Sequence, residues 1–170
     1  MRNLLTSLFA TLLLAGCMSD RIDTAVTNCC AQRDYKTFTV KADDIPAFLG
    51  PLMVSNFSVA FANRGVDPVM DHGDLNVVLR FEQIDVNSNK PIGDLDESTG
   101  VGAATRFIAR IDVLMYDTKT SKLVWGGHIQ RIHDVAPGDY MHAGPASIAI
   151  YKAFTRLLSH YPGKRPAGPS

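Results

Sequence analysis

Arg106 to Asp134 reads RFIARIDVLMYDTKTSKLVWGGHIQRIHD, and this stretch carries the pattern that decides the fold. Phe107, Ala109, Ile111, Val113 and Met115 alternate with Ile108, Arg110, Asp112, Leu114 and Tyr116. Successive side chains of a strand point to opposite faces, so the spacing predicts a strand with one face toward a core. TKTSK (Thr118 to Lys122) supplies turn residues, and Leu123 to Asp134 then predicts the return strand of a hairpin.

Working outward, Asp74 to Val86 (DLNVVLRFEQIDV) alternates in the same way. Leu75, Val77, Leu79 and Phe81 fall on one face, and Asn76, Val78, Arg80 and Glu82 on the other, as a sheet with helices on one side requires. Tyr35 to Val40 (YKTFTV) is rich in aromatic and β-branched residues and predicts a first strand. Between these two strands, Phe48, Leu49, Leu52, Phe57, Ala60 and Phe61 recur at helical spacing. Asp43 or Asp44 suits the N-cap of that helix, Pro46 its first turn and Gly65 its end. Pro51 lacks an N–H, so it either kinks the helix or marks its start. A second helix, opened by Pro145, buries Ile150, Phe154, Leu157 and Leu158 and stops before Pro162. The order strand-helix-strand-strand-strand-helix predicts an α+β, two-layer α/β sandwich: an antiparallel-rich sheet with two helices on one face. No internal repeat is visible.

The N-terminus has a different character. Arg2 precedes an uncharged run containing Leu4, Leu5, Leu8, Phe9, Leu12, Leu13 and Leu14, which is the layout of a signal peptide. The run is shorter than the ~20 apolar residues of a membrane-spanning helix. Leu14-Ala15-Gly16-Cys17 resembles the lipobox of bacterial lipoproteins. That resemblance implies cleavage between Gly16 and Cys17, a diacylglycerol thioether on the Cys17 thiol, and acylation of the freed amine by a chain such as palmitate. Met18 stands where an aspartate would retain an enterobacterial lipoprotein in the inner membrane, which implies the periplasmic face of the outer membrane. The expected organisation is a signal peptide over 1–16, a lipidated N-terminus and tether over 17–33, one domain over 34–162 and a disordered tail over 163–170.

DYKTFTV, DLNVVLRF, the hairpin and the closing AIYKAFTRLLSHYP together resemble small bacterial envelope lipoprotein families whose domains have no assigned function. Asp117, Thr120, Lys122, Val124, Trp125 and Gly127 match their mark: a strand ending in aspartate, a turn with Thr and Lys, then V-W-x-G. Many such relatives carry glycine where this chain has Ser121. The resemblance spans Tyr35 to Pro162 and implies a fold and an envelope home, with no catalytic residue carried over.

The 170 residues are 46% hydrophobic and 20% charged, and 17 basic side chains balance 17 acidic ones. One domain of this size buries an ordinary core. No basic excess points to nucleic acid. Cys29 and Cys30 are adjacent. An incidental or linker role is the expectation for them; in an oxidising periplasm a bond between them would close a strained, labile, redox-type ring, and pairing with another chain or persistence as thiols are the alternatives. They lack the two intervening residues of redox and zinc motifs.

His128, His133 and Asp134 form a candidate metal set. Strand alternation sends His128 and His133 to opposite faces, and puts His128 and Asp134 ~20 Å apart along one face. His72 and His142 lie on expected loops. STGVGAATR (Ser98 to Arg106) runs into a strand rather than a helix, so its glycines do not make a phosphate loop. No G-x-S-x-G occurs. The expectation is therefore a non-enzymatic, lipid-anchored interaction or assembly module of the envelope, without a cofactor, whose partners are the membrane and other envelope proteins. Alternatives are a binder of a small apolar or lipid ligand, and a hydrolase or metal protein using His72, His128, His133 or His142. The second sheet face (Val78, Ile84, Ile108, Leu114, Tyr116) and the long connection from Asn87 to Ala104 are the expected binding elements.

Overall fold

The structure is a computed structural model that describes residues 23–28, 34–86, 105–135 and 143–162. Gly16, Cys17, Cys29, Cys30 and His142, the connection from Asn87 to Ala104 and the 163–170 tail lie outside the described residues.

In chain order the elements are β1 (Asp23–Asn28), β2 (Thr37–Asp43), α1 (Gly50–Ala62), β3 (Asp67–Pro68), β4 (Leu75–Asp85), β5 (Thr105–Asp117), β6 (Leu123–Val135) and α2 (Ala143–Leu158). The strands form one mixed sheet in the order β1-β6-β5-β4-β2-β3. β4, β5 and β6 are an antiparallel meander, β2 joins β4 in parallel through the α1 crossover, and β1 closes the far edge against β6. The α+β architecture expected from the sequence is what the chain adopts, with two strands more than the alternating pattern revealed. Asp23–Asn28 belongs to the stretch expected to be tether, yet it pairs antiparallel with Trp125 to Gln130. β3 has only two residues, too short for alternation to register.

The core sits between the helices and one sheet face. Phe38, Leu75, Val77, Leu79, Val113, Met115 and Trp125 meet Met53, Phe57, Phe61, Phe154, Leu157 and Leu158, all buried. The rings interlock: Phe38 and Phe57 meet edge-on at 5.7 Å, and Phe57 and Phe154 at 5.4 Å. Such pairs add about 0.5–1.5 kcal/mol each beyond the area they bury.

The start of α1 differs from the sequence expectation. Asp43 ends β2, and Asp44 takes a left-handed conformation (φ 55). A turn follows in which Leu49 N–H donates to the Pro46 carbonyl at 2.8 Å. Leu49 is the N-cap, without a side-chain cap bond, and Pro51 stands in the first turn, where its missing N–H costs nothing. Pro51 therefore marks the helix start. Phe48, placed on the buried stripe by spacing, lies in the preceding turn and is 70% exposed.

Two glycines set close approaches. A Cβ on Gly73 would stand 2.6 Å from the backbone of Phe38 and Thr39. A Cβ on Gly127 would meet Leu157 Cδ1 at 2.9 Å and the Trp125 ring at 3.0 Å, so this glycine lets α2 lie directly on β6.

Candidate functional site: the uncovered face of the sheet

Among the described residues both helices lie on one face of the sheet, and none lies on the other. Pairing register assigns each residue of that outer face. Where β5 meets the turn, Tyr116 pairs with Leu123 but Met115 pairs with Trp125, so Val124 is an extra residue. This bulge puts Trp125 on the core side and sets every later pairing of β6.

Level by level, the outer face reads as follows from the turn end. Thr39 and Asn76 are neighbours, the Thr39 hydroxyl donating to Asn76 Oδ1 at 2.6 Å. Lys41, Val78, Leu114 and Gly126 share the next level, where Val78 is buried although neither described helix lies on this face. Then come Asp43, Arg80, Asp112 and His128. Arg80 lies 3.6 Å from the Asp43 carboxylate, and Lys41 reaches the same carboxylate at 3.8 Å. Arg110 turns along its own strand to grip Asp112 through Nε (3.0 Å) and a terminal nitrogen (2.9 Å), although Glu82 stands directly across from it. These half-exposed pairs neutralise the centre of the face and contribute little stability.

Above that charged band, Ile84, Ile108 and Ile132 are directly paired across β4, β5 and β6. Ile132 is 49% exposed. On the next level outward Val86 N–H donates to the Arg106 carbonyl at 3.2 Å, and Val86 is 38% exposed. Sequence alternation placed Ile84 and Ile108 on this face but missed Ile132 and the three-strand rung. Only the bulge brings Ile132 opposite Ile108.

The polar residues of the opposite end hold strands together. Asp74 accepts from the amides of Lys36 (2.9 Å) and Thr37 (3.1 Å), and its own N–H donates to the Thr37 hydroxyl at 3.0 Å. The Lys36 amide bond is the main force holding the Asp74 carboxyl below its usual 3.8; desolvation opposes it, while Thr37 and the Lys119 charge add to it. Asp117, buried at the end of β5, accepts from the Thr120 amide (2.8 Å), the Thr120 hydroxyl (2.9 Å) and the Tyr35 hydroxyl (3.0 Å). The D-x-x-T part of the hairpin mark is thus a turn clasp, and V-W-x-G is the seat of α2.

The candidate histidines are dispersed. His128 lies on the outer face across from Asp112. His133 lies on the helix side, its ring stacked on Phe107 at 5.2 Å and 14°. His72 is an exposed residue with φ 56 before β4. Among the described residues no three His, Cys, Asp or Glu side chains are grouped to hold a metal ion.

No family model matches the chain. No curated protein matches it either. Solved structures do resemble it. A PDZ domain protein from Parabacteroides distasonis is 10% identical with a TM-score of 0.52, the match covering 83% of this chain and 35% of that one. A PelC dodecamer from Paraburkholderia phytofirmans is 11% identical, TM-score 0.49, covering 82% and 96%. A minor lipoprotein from Acinetobacter baumannii is 16% identical, TM-score 0.39, covering 77% and 98%. At such identity the first of these speaks for the fold alone.

Proposed function

We propose that the chain is a bacterial envelope lipoprotein, anchored through Cys17 to the periplasmic face of the outer membrane, whose domain is a non-enzymatic interaction or assembly module. The observation that carries this reading is the Leu14-Ala15-Gly16-Cys17 box six residues ahead of a strand belonging to a one-sided sheet. Two or three acyl chains, at about 0.8 kcal/mol per buried methylene, hold such a domain on a bilayer. The uncovered face mixes apolar rungs with internally paired charges, a surface suited to contact rather than to proton transfer.

The competing ligand-binding reading draws less support, because the space between helices and sheet is taken by rings in mutual contact. The test is twofold. Intact mass of the membrane-extracted chain should show the acyl additions, and Cys17→Ala should lose them. In-cell crosslinking should give one dominant envelope partner that disappears in the same variant. A specific turnover abolished by a single substitution would overturn the non-enzymatic reading.

A further inference from the structure

The direction of β1 fixes which end of the domain is nearest Cys17. Asp23 pairs with Gln130, and Asn28 pairs with Trp125 beside the turn, so β1 enters from the end where β4 finishes and β5 begins. Asp23 follows Cys17 by six positions along the chain. Fully extended, these six steps span at most ~20 Å. The five residues by which β6 continues past Gln130 to Val135 take up ~17 Å of that reach. The thiol therefore stays within ~20 Å of Asp23 and passes at most a few ångströms beyond the open end of the sheet, so a bilayer holding its acyl chains stays close to that end.

The isoleucine rung lies at that same end, on the uncovered face. Ile84, Ile108 and Ile132 stand side by side across three strands, a strip ~10 Å wide, with Val86 and Arg106, the latter paired with Asp134, one level further out. Apolar side chains at this height fit the boundary between headgroups and acyl chains, where amphipathic surfaces bury ~5–10 Å deep. Charge flanks the rung on both sides: the band of Arg80, Arg110 and Asp112 lies inward and remains in water, and exposed Arg106, paired with Asp134 one level outward, stands where lipid headgroups would meet it.

We infer that the lipid surface carrying the anchor covers the Ile84–Ile108–Ile132 rung, so that the domain lies with its open end on the membrane and presents its hairpin turn to the periplasm. This orientation rests on the lipoprotein reading above.

The chain contains a single tryptophan, Trp125, buried near the turn, which supplies a constant background. The full lipidated chain is prepared with Ile132→Trp or, as the turn-end control, Lys119→Trp; Ile132 and Lys119 are both exposed sites. Each is placed in vesicles of phosphatidylethanolamine and phosphatidylglycerol with brominated acyl chains, and flotation and emission are measured together. The Ile132→Trp chain should float and lose most of its added emission, while the Lys119→Trp chain should float with its emission unchanged. Flotation with equal emission from both would overturn the orientation and leave the anchor standing. An Ile132→Trp indole shielded from both bromine and aqueous acrylamide would mean that protein, a second copy or a partner, covers the rung, and would also overturn it. A chain that neither floats nor carries acyl mass would remove the lipoprotein reading itself.

Discussion

At the scale of single residues, much of the chemistry serves the joints of the sheet. Ser121 occupies a left-handed conformation (φ 55) at the hairpin turn, with its N–H donating to the Asp117 carbonyl at 2.8 Å. A side chain there costs roughly 1–2 kcal/mol, of which glycine's extra unfolded freedom takes back about 0.5–1. Ser121→Gly should therefore stabilise the domain by about 0.5–1 kcal/mol, read from the urea midpoint at constant slope. Tyr161 supplies a pH signature. Burial of its hydroxyl is the main cause raising its pKa from 10.0 to about 12, with Tyr35 and Asp34 adding to it. The unfolded chain gives up this proton first, so the contribution is whole below pH 10.0 and is lost as pH rises through about 12. Urea midpoints stepped across that window should fall in the native chain, and Tyr161→Phe should flatten the fall.

The element scale turns on the seat of α2. Gly126 and Gly127 are neighbours with opposite tolerances. A Cβ on Gly126 has nothing nearer than Leu114 Cδ2 at 3.7 Å, whereas one on Gly127 meets Leu157 at 2.9 Å. Gly126→Ala should be nearly neutral, and Gly127→Ala should cost about 1–3 kcal/mol by pushing α2 off β6, as thermal melts of the pair would show. Legibility in the sequence divides along the same line. Alternation in β4 and β5 and the stripe on α2 were readable because one face of each is buried and period follows burial. The start of α1 was misread because Asp43 and Asp44 carry N-cap chemistry but belong to a strand end and a left-handed kink, while Pro51 was the true signal. The outer rung was invisible because alternation carries no register. Counting outward from Tyr116 and Leu123 puts Arg131 opposite Ile108, and only Val124 as an extra residue corrects it to Ile132.

For the whole molecule, the decisive discrepancy is β1, a strand hidden in what composition presents as a leader's tail. Its residues Thr24 to Val26 alternate too briefly to be distinguished from linker, and their partners, Gly127 to Ile129, lie far along the chain. A truncation beginning at Asp34 should consequently do more than release the domain from its membrane. It should lower the melting temperature and bare the edge of β6, giving concentration-dependent association in sedimentation, whereas Cys17→Ala should leave both unchanged. The pairing of Asp23 with Gln130 also orders events in time. On the proposed lipoprotein reading, the N-terminal strand crosses the membrane early and its partner late, so the sheet cannot close until β6 has crossed. High sequence separation of this kind slows folding. On the same reading the delay gives time for processing at Cys17 before the domain folds, so that topology itself would act as the clock separating modification from folding.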